Sequence, residues 1–354
     1  MKIRTSLFVI TILLIIGAYT SCTWQTTPDS PRSRPIPIIF DTDMGPDYDD
    51  VGALAVLHAF ADSGYVDILA TVSSNKMENT TQLISMINTY FNKPNIPIGV
   101  TKDTNAKNND TWHKGEKWTE ELLKKYPFSQ SISSEPEDAV KVYRQILSQQ
   151  ADNSVIIVTV GFFTNLKNLL QSPPDEISNM SGQELVTVKV KELISMACRF
   201  PEGKEYNAYA DAVSTKYVVE NWPSCIIFSG VEIGRYIRTG DRLIKETNNN
   251  PIKDAYAISI PQDMIEFDNS RYEMGGRASY DQTAVLAAVC GDKYFNIERG
   301  TVSINDDGSN TWKAYSNGQH FILKHKYSFQ EMAILIEKYM MHKPINKNNN
   351  GWSN

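Results

Sequence analysis

The stretch Ile36-Pro37-Ile38-Ile39-Phe40-Asp41-Thr42-Asp43-Met44-Gly45-Pro46-Asp47-Tyr48-Asp49-Asp50 decides how the chain reads. Ile36 to Phe40 is an apolar run of the kind that forms a strand buried on both faces of a parallel sheet. It gives way to a turn that carries five aspartates within ten residues. A periodic apolar segment, Val51 to Phe60, follows directly and predicts a helix. In open α/β sheets ligands bind at the carboxyl ends of the strands, which is where this turn belongs. Carboxylates this close repel one another and raise each other's pKa unless a cation neutralises them. Asp49 or Asp50 can cap the following helix. Capping leaves Asp41 and Asp43 unaccounted for, so the stretch predicts a hard-cation site.

Upstream, Lys2 and Arg4 precede Leu7 to Ile16, an apolar run too short to span a bilayer comfortably and typical of a signal peptide. Tyr19-Thr20-Ser21-Cys22 resembles a bacterial lipoprotein cleavage box. Residues 1–21 are therefore expected to be removed and Cys22 acylated, the alternative being cleavage elsewhere and an ordinary Cys22. The expected product is an exported protein, periplasmic or attached to the outer membrane of a bacterium, with that lipid as its sole membrane contact. Residues 22–35 read as a tether, 36–342 as one catalytic domain, and 343–354 as a disordered, Asn-rich tail.

The 354 residues are 41% hydrophobic and 21% charged, an ordinary globular composition. The formal net charge is -6, and loss of Lys2 and Arg4 leaves the mature chain more acidic. Without basic clusters there is no reason to expect nucleic-acid binding. Cys198, Cys225 and Cys290 are widely spaced in apolar surroundings, which predicts buried free thiols and no zinc site.

Downstream the text alternates strand and helix. Strands are expected at Val66–Val72, Ile96–Val100, Ser154–Val160, Val188–Ala197 and Cys225–Ser229. Helices are expected at Thr80–Phe91, from Ser134-Glu135-Pro136-Glu137 to Gln149, after Gly161, at Ala212–Asn221 and at Asp281–Val289. Residues 231–260 read as helical with loops, and residues 101–118 as a long polar surface loop of the sort that covers sites. Such alternation predicts a mainly parallel open sheet with helices on both faces, a Rossmann-like α/β fold. Thr301–Asn305, Thr311–Tyr315 and His320–His325 add a small antiparallel region near the C-terminus, joined by Asp307-Gly308 and Asn317-Gly318. A last amphipathic helix is expected at Ser328–Met341. There is no G-x-G-x-x-G and no Walker A motif to support dinucleotide or ATP use.

The opening D-x-D with its Asp-Asp pair resembles the signature of the inosine–uridine-type nucleoside hydrolases. Further segments match in order: Val72-Ser73-Ser74-Asn75, Thr159-Val160-Gly161-Phe162-Phe163-Thr164-Asn165, Glu205-Tyr206-Asn207 and Tyr280-Asp281-Gln282-Thr283-Ala284. The resemblance implies hydrolysis of the N-glycosidic bond of ribonucleosides to base and ribose, with Ca²⁺ as cofactor. It implies that Asp43, Asp50 and Asp281 ligate the ion with the Val160 carbonyl, and that Asp43 is the general base for a water on the ion. Asp49, Asn75, Glu205, Asn207 and Asp281 would hold the sugar, and Asp41 would support the others by hydrogen bonding. The family is usually oligomeric, although no stretch of this chain identifies an interface. These residue types suit the chemistry, because a sugar gaining oxocarbenium character is stabilised by carboxylates around it.

The aspartate turn is two residues longer than the family's compact form, so Asp47 is an alternative ligand. Tyr280 stands where better-known members carry a His that protonates the leaving base. Candidates for a base pocket are Tyr280, His113 and Phe162. His113 reads as a solvated loop residue before it reads as part of a lid, and Phe162 and Phe163 as plain core. A haloacid-dehalogenase-type phosphohydrolase, with Asp41 as nucleophile, and a non-catalytic nucleoside- or sugar-binding lipoprotein are the rival readings.

Overall fold

The computed structural model describes residues 34–129, 136–266 and 275–345. The signal segment, Cys22, nearly all of the tether, Ser134-Glu135 and the tail from residue 346 lie outside the described residues. Among the described residues no helix is long and apolar enough to cross a membrane.

The first half of the chain runs β1 (Ile36–Thr42), α1 (Asp49–Asp62), β2 (Val66–Ser73), α2 (Thr80–Tyr90) and β3 (Ile98–Val100). Then come α3 (Trp118–Lys125), β4 (Glu137–Asp138), α4 (Ala139–Gln149), β5 (Val155–Thr159) and α5 (Thr164–Gln171). It continues with α6 (Gly182–Lys189), β6 (Val190–Met196), β7 (Glu202–Gly203), α7 (Tyr206–Ala210), α8 (Ala212–Asn221) and β8 (Cys225–Ser229). The last part holds α9 (Val231–Gly234), β9 (Arg238–Thr239), α10 (Asp241–Glu246), α11 (Pro251–Glu266), β10 (Arg277–Ala278) and α12 (Tyr280–Cys290). It ends with β11 (Phe295–Ile304), β12 (Asn310–Ala314), β13 (His320–His325) and α13 (Phe329–Met340).

The main sheet has the order β4-β3-β2-β1-β5-β6-β8-β13-β11-β12-β7. It is parallel from β4 to β13 and antiparallel beyond, and a two-stranded ribbon pairs β10 with β9. The strand period of two explains the double core. Ile38, Phe40, Ile156 and Val158 enter one apolar layer with α1, α12 and α13, while Ile39, Val155 and Ile157 enter the other with α4, α5 and α8. At Gly52 a Cβ would stand 2.4 Å from Gln282 Nε2, so glycine permits the close approach of α1 and α12.

The sequence expectations meet several differences. The C-terminal antiparallel strands extend the main sheet. His320–His325 pairs with β11 on the side away from β12, parallel to β8, so Asn317-Gly318 does not close a hairpin between β12 and β13. Insertion beside β8 buries β13 on both faces, which an edge hairpin would not. The fourth helix begins at Ala139, beyond Pro136-Glu137, because the Asp138 carboxylate accepts from the Val140 amide and caps it there. Val188 and Lys189 end α6, whose Ser181–Glu184 capping box starts it, so the next strand begins at Val190. Cys198 and Cys290 are buried and free. Cys225 is disulfide-bonded, which corrects the expectation of a free thiol there.

Arg144 shows how the helical layer is tied together. Buried on α4, it grips the Asp175 carboxylate with two hydrogen bonds of 2.7 Å and also donates to Ser172 Oγ and the carbonyls of Ser178 and Met180. Arg144→Met leaves those acceptors unpaired and is expected to cost about 2–4 kcal/mol, read as a lower urea midpoint at unchanged slope.

Candidate active site

The carboxyl ends of β1, β5, β6 and β8 open into a cleft of about 990 Å³. Its walls include Asp43, Asp47, Asp49, Val160, Glu205 and Asn207, joined by Asp281 from the start of α12. The parallel order brings β1 and β5 side by side, and Gly161 lets the turns beyond them touch, since a Cβ there would meet the Asp43 amide at 2.4 Å.

Carboxylate oxygens of Asp47, Asp50 and Asp281 lie within 4.8 Å of one another. Asp50 accepts a short bond from Thr42 Oγ1, while its Oδ2 is buried without a hydrogen-bond partner. An orphaned carboxylate oxygen beside two further carboxylates, in an all-oxygen donor set, fits a hard divalent cation. Burial, and after it the neighbouring carboxylates, pushes Asp43, Asp50 and Asp281 well above the ordinary carboxylate range. The resemblance implies Asp43, Asp50 and Asp281 as ligands, but the cluster that closes contains Asp47 in place of Asp43. The longer turn lets Asp47 fold back, and Arg277 draws it inward with a short ion pair. Asp43 is not one of the three, yet its charge bears on Asp50 ahead of any other carboxylate's and also on Asp281, and it feels Asp47, Glu205 and Asp49 in turn.

Asp49 has work other than holding a sugar. One oxygen accepts from Arg277 at 3.0 Å, and the other from the amides of Tyr280 at 3.1 Å and Asp281 at 3.4 Å. It thus supplies the anionic cap that Ser279 does not give α12. Asn75 is not in the cleft lining. Its amide donates to the carbonyls of Asn109 at 2.6 Å and Asp43 at 3.2 Å and accepts from the Asn109 amide at 2.9 Å, clamping the long loop to the aspartate turn. Asp41 is turned away as well, accepting from Tyr143 at 2.9 Å and Asn165 at 3.1 Å, with burial raising its pKa to about 7.

Glu205 caps α7, accepting from the amides of Cys198, Asn207 and Ala208. Burial lifts its pKa to about 7 against the lowering effect of those amides. Asn207 donates to the carbonyls of Val160 and Met196, each at 3.1 Å. Of the base-pocket candidates, Tyr280 lines the cleft, whereas Phe162 and His113 do not. Phe162 is core, edge-on to Tyr206. The expectation of a solvated His113 is corrected: it is buried, with Nε2 2.7 Å from Asp263, whose other oxygen accepts from Tyr48.

Arg277 is the residue that the sequence reading missed. Its guanidinium neutralises Asp47 and Asp49 and lies 5.2 to 5.9 Å from the rings of Tyr48, Trp112 and Tyr280. A lone arginine four residues before the late aspartate was the available signal. Asp263 lies just beyond residues 231–260, which were read as helical with loops, and no pattern marked it.

A carboxylate whose folded pKa is raised makes the folded state hold protons that the unfolded chain sheds. Metal-free stability is therefore expected to fall as pH rises from about 4 towards 7. A divalent cation that occupies the cluster should reverse that slope, raising stability by about 2.7 kcal/mol at a hundred times its Kd. Asp50→Asn should flatten the metal-free slope and lose the cation's effect, as read by thermal melts across that pH range.

The inosine-uridine preferring nucleoside hydrolase family model matches residues 38–338. Among solved structures, a plant nucleoside hydrolase aligns with a TM-score of 0.65 at 17% identity, covering 87% of this chain and 99% of that one. A purine-preferring ribonucleoside hydrolase from Gardnerella vaginalis gives 0.67 at 13% identity, over 86% and 96%. An inosine-uridine preferring nucleoside hydrolase from Bacillus anthracis gives 0.60 at 13% identity, over 86% and 99%. These identities speak to the fold. No curated protein matches the chain by sequence. With the family model spanning most of its length and the fold shared throughout, the chain belongs to the inosine-uridine preferring nucleoside hydrolases.

Proposed function

We propose that the chain hydrolyses the N-glycosidic bond of ribonucleosides, releasing free base and ribose, with Asp43 as general base and Ca²⁺ as cofactor. The observation that carries this reading is a division of labour within one cleft. Asp47, Asp50 and Asp281 form a cation-ready cluster, while Asp43, Glu205 and Asn207 line the space beside it. Asp47, Asp50 and Asp281 would hold the ion, with the Val160 carbonyl alongside. Several carboxylates and a carbonyl suit Ca²⁺ better than Mg²⁺, which keeps more of its water. When bound, the ion supplies positive charge that makes a water easier to deprotonate and grips a sugar diol.

Asp43 takes one proton from a water as the water oxygen bonds to the anomeric carbon; the bond from that carbon to the base nitrogen breaks, the base leaves with the electron pair, and solvent protonates it. The sugar gains positive charge in that passage, and the carboxylates of Asp43 and Glu205 stand against it. Glu205 and Asn207 hold sugar hydroxyls. Burial pushes the Tyr280 phenol above its ordinary value, so it serves as a wall for the base and not as its acid. The phosphohydrolase reading loses its nucleophile, because Asp41 points away from the cleft into Tyr143 and Asn165. We place the protein outside the cytosol. Lys2, Arg4 and the apolar run after them support this.

Common nucleosides should release ribose with the protein as purified, and a chelator should abolish release until Ca²⁺ is restored. Asp43→Asn should lower kcat by about a hundredfold or more with the circular dichroism spectrum unchanged. Near-normal turnover of that variant would refute the assignment of the base. Tight riboside binding without sugar release over long incubation would favour the non-catalytic reading.

A further inference from the structure

The C-terminal antiparallel strands reach back to one end of the cleft. Lys204, Glu205, Tyr206, Asn207 and Tyr209 line it there, and all come from the short stretch that enters and forms α7. That stretch is held by β12 and by the turn before it. Asn310, only 1% exposed, accepts from the Arg199 amide at 2.9 Å and donates to the Arg199 carbonyl at 2.8 Å. The Trp312 amide donates to the Pro201 carbonyl at 2.8 Å, and β12 pairs with β7 at Glu202 and Gly203. Gly308 lies against α7 so closely that a Cβ there would stand 2.3 Å from Tyr209 Cα.

The link to the site is the residue before Arg199. Cys198 has a φ of 72°, in the left-handed region that a residue with a side chain keeps only where its surroundings impose it. In that conformation its amide donates to Glu205 Oε2 at 3.0 Å, while its carbonyl accepts from the Val231 amide at 2.9 Å. Two other amides on Glu205, those of Asn207 and Ala208, belong to α7 and move with it. Cys198, just beyond β6, therefore ties this carboxylate to the sheet. Asn310 engages both main-chain groups of the neighbouring Arg199, as a paired strand would. Without it those groups are stranded and the turn that aims the Cys198 amide is loosened.

A binding group has to be held to within about 0.5 Å of its productive position by neighbours that are themselves locked. We propose that Asn310 is a positioning residue for the substrate: by fixing Arg199 it aims the Cys198 amide, and through it Glu205, at a sugar hydroxyl. The inference rests on the nucleoside-hydrolase reading above and deepens it. Asn310 does not itself line the cleft, so its effect passes through Glu205.

A double-mutant cycle tests it, read first by calorimetry of ribose on the Ca²⁺-loaded protein. Ribose should bind Asn310→Ala about tenfold more weakly than the parent protein, whereas the same substitution in a Glu205→Gln background should cost less than about twofold. Unchanged binding by Asn310→Ala overturns the proposal. So does an equal loss in both backgrounds, because a general loosening weakens both alike. Asn310→Asp keeps the acceptor for the Arg199 amide and loses the donor to its carbonyl. Should the alanine variant not fold, Asn310→Asp carries the same cycle with an expected loss of about threefold. In turnover, Asn310→Ala should raise KM for adenosine, inosine and uridine by about tenfold while kcat stays within about threefold. A fall confined to kcat overturns the proposal, as does a parent protein that binds no ribose. If no nucleoside is hydrolysed while the ribose cycle holds, the hydrolase reading fails and the positioning role stands. If nucleosides are hydrolysed and the cycle is flat, the positioning role fails and the hydrolase reading stands.

Discussion

The structure depends on placing several buried carboxylates at one end of a sheet without letting their repulsion open it. Asp41, Asp43, Asp49, Asp50 and Asp281 are all at most 6% exposed. Three of them are steadied by different partners. Asp41 receives Tyr143 and Asn165, Asp49 receives Arg277 and the amides that start α12, and Asp50 receives Thr42. One oxygen of Asp50 is left over, facing Asp47 and Asp281. That remainder leaves the cluster able to hold a cation, which would relieve the repulsion that burial imposes.

The long loop is part of the same solution. Asn75 fastens it at Asn109, Lys117 pairs with Asp110, and Asp263 holds His113 while also holding Tyr48 of the aspartate turn. A segment that is polar and aperiodic thus becomes a wall anchored at several points, with Trp112 set into the cleft beside Arg277. Asp263 therefore ties α11 to both the loop and the turn through one carboxylate. Tyr48 bears on Arg277 from beneath, so the charge network and the loop anchorage meet at a single ring.

Much of this was legible in the chain. The apolar runs at Ile36 and Ser154 read as strands because buried parallel strands are apolar on both faces, and Ala212–Asn221 and Cys225–Ser229 fell where patterning put them. What patterning lacks is a record of lateral order. Nothing local tells β13 to slide between β8 and β11, because that choice is made by which strand edge is left unpaired. Capping likewise moved helix starts: Asp138 and Ser181 each satisfied amides that periodicity alone does not count.

The sequence by itself determined the fold class, the identity of the acidic turn, and the meeting of that turn with Asp281, since ordered motifs and strand–helix alternation are local properties. The tertiary structure decided which carboxylates share the cluster, where Asp49 and Asn75 spend their hydrogen bonds, and that His113 is buried. It also revealed Arg277, whose role depends on partners more than two hundred residues away along the chain. Side-chain contacts of that range follow from how layers pack, and packing is a property of the whole chain at once.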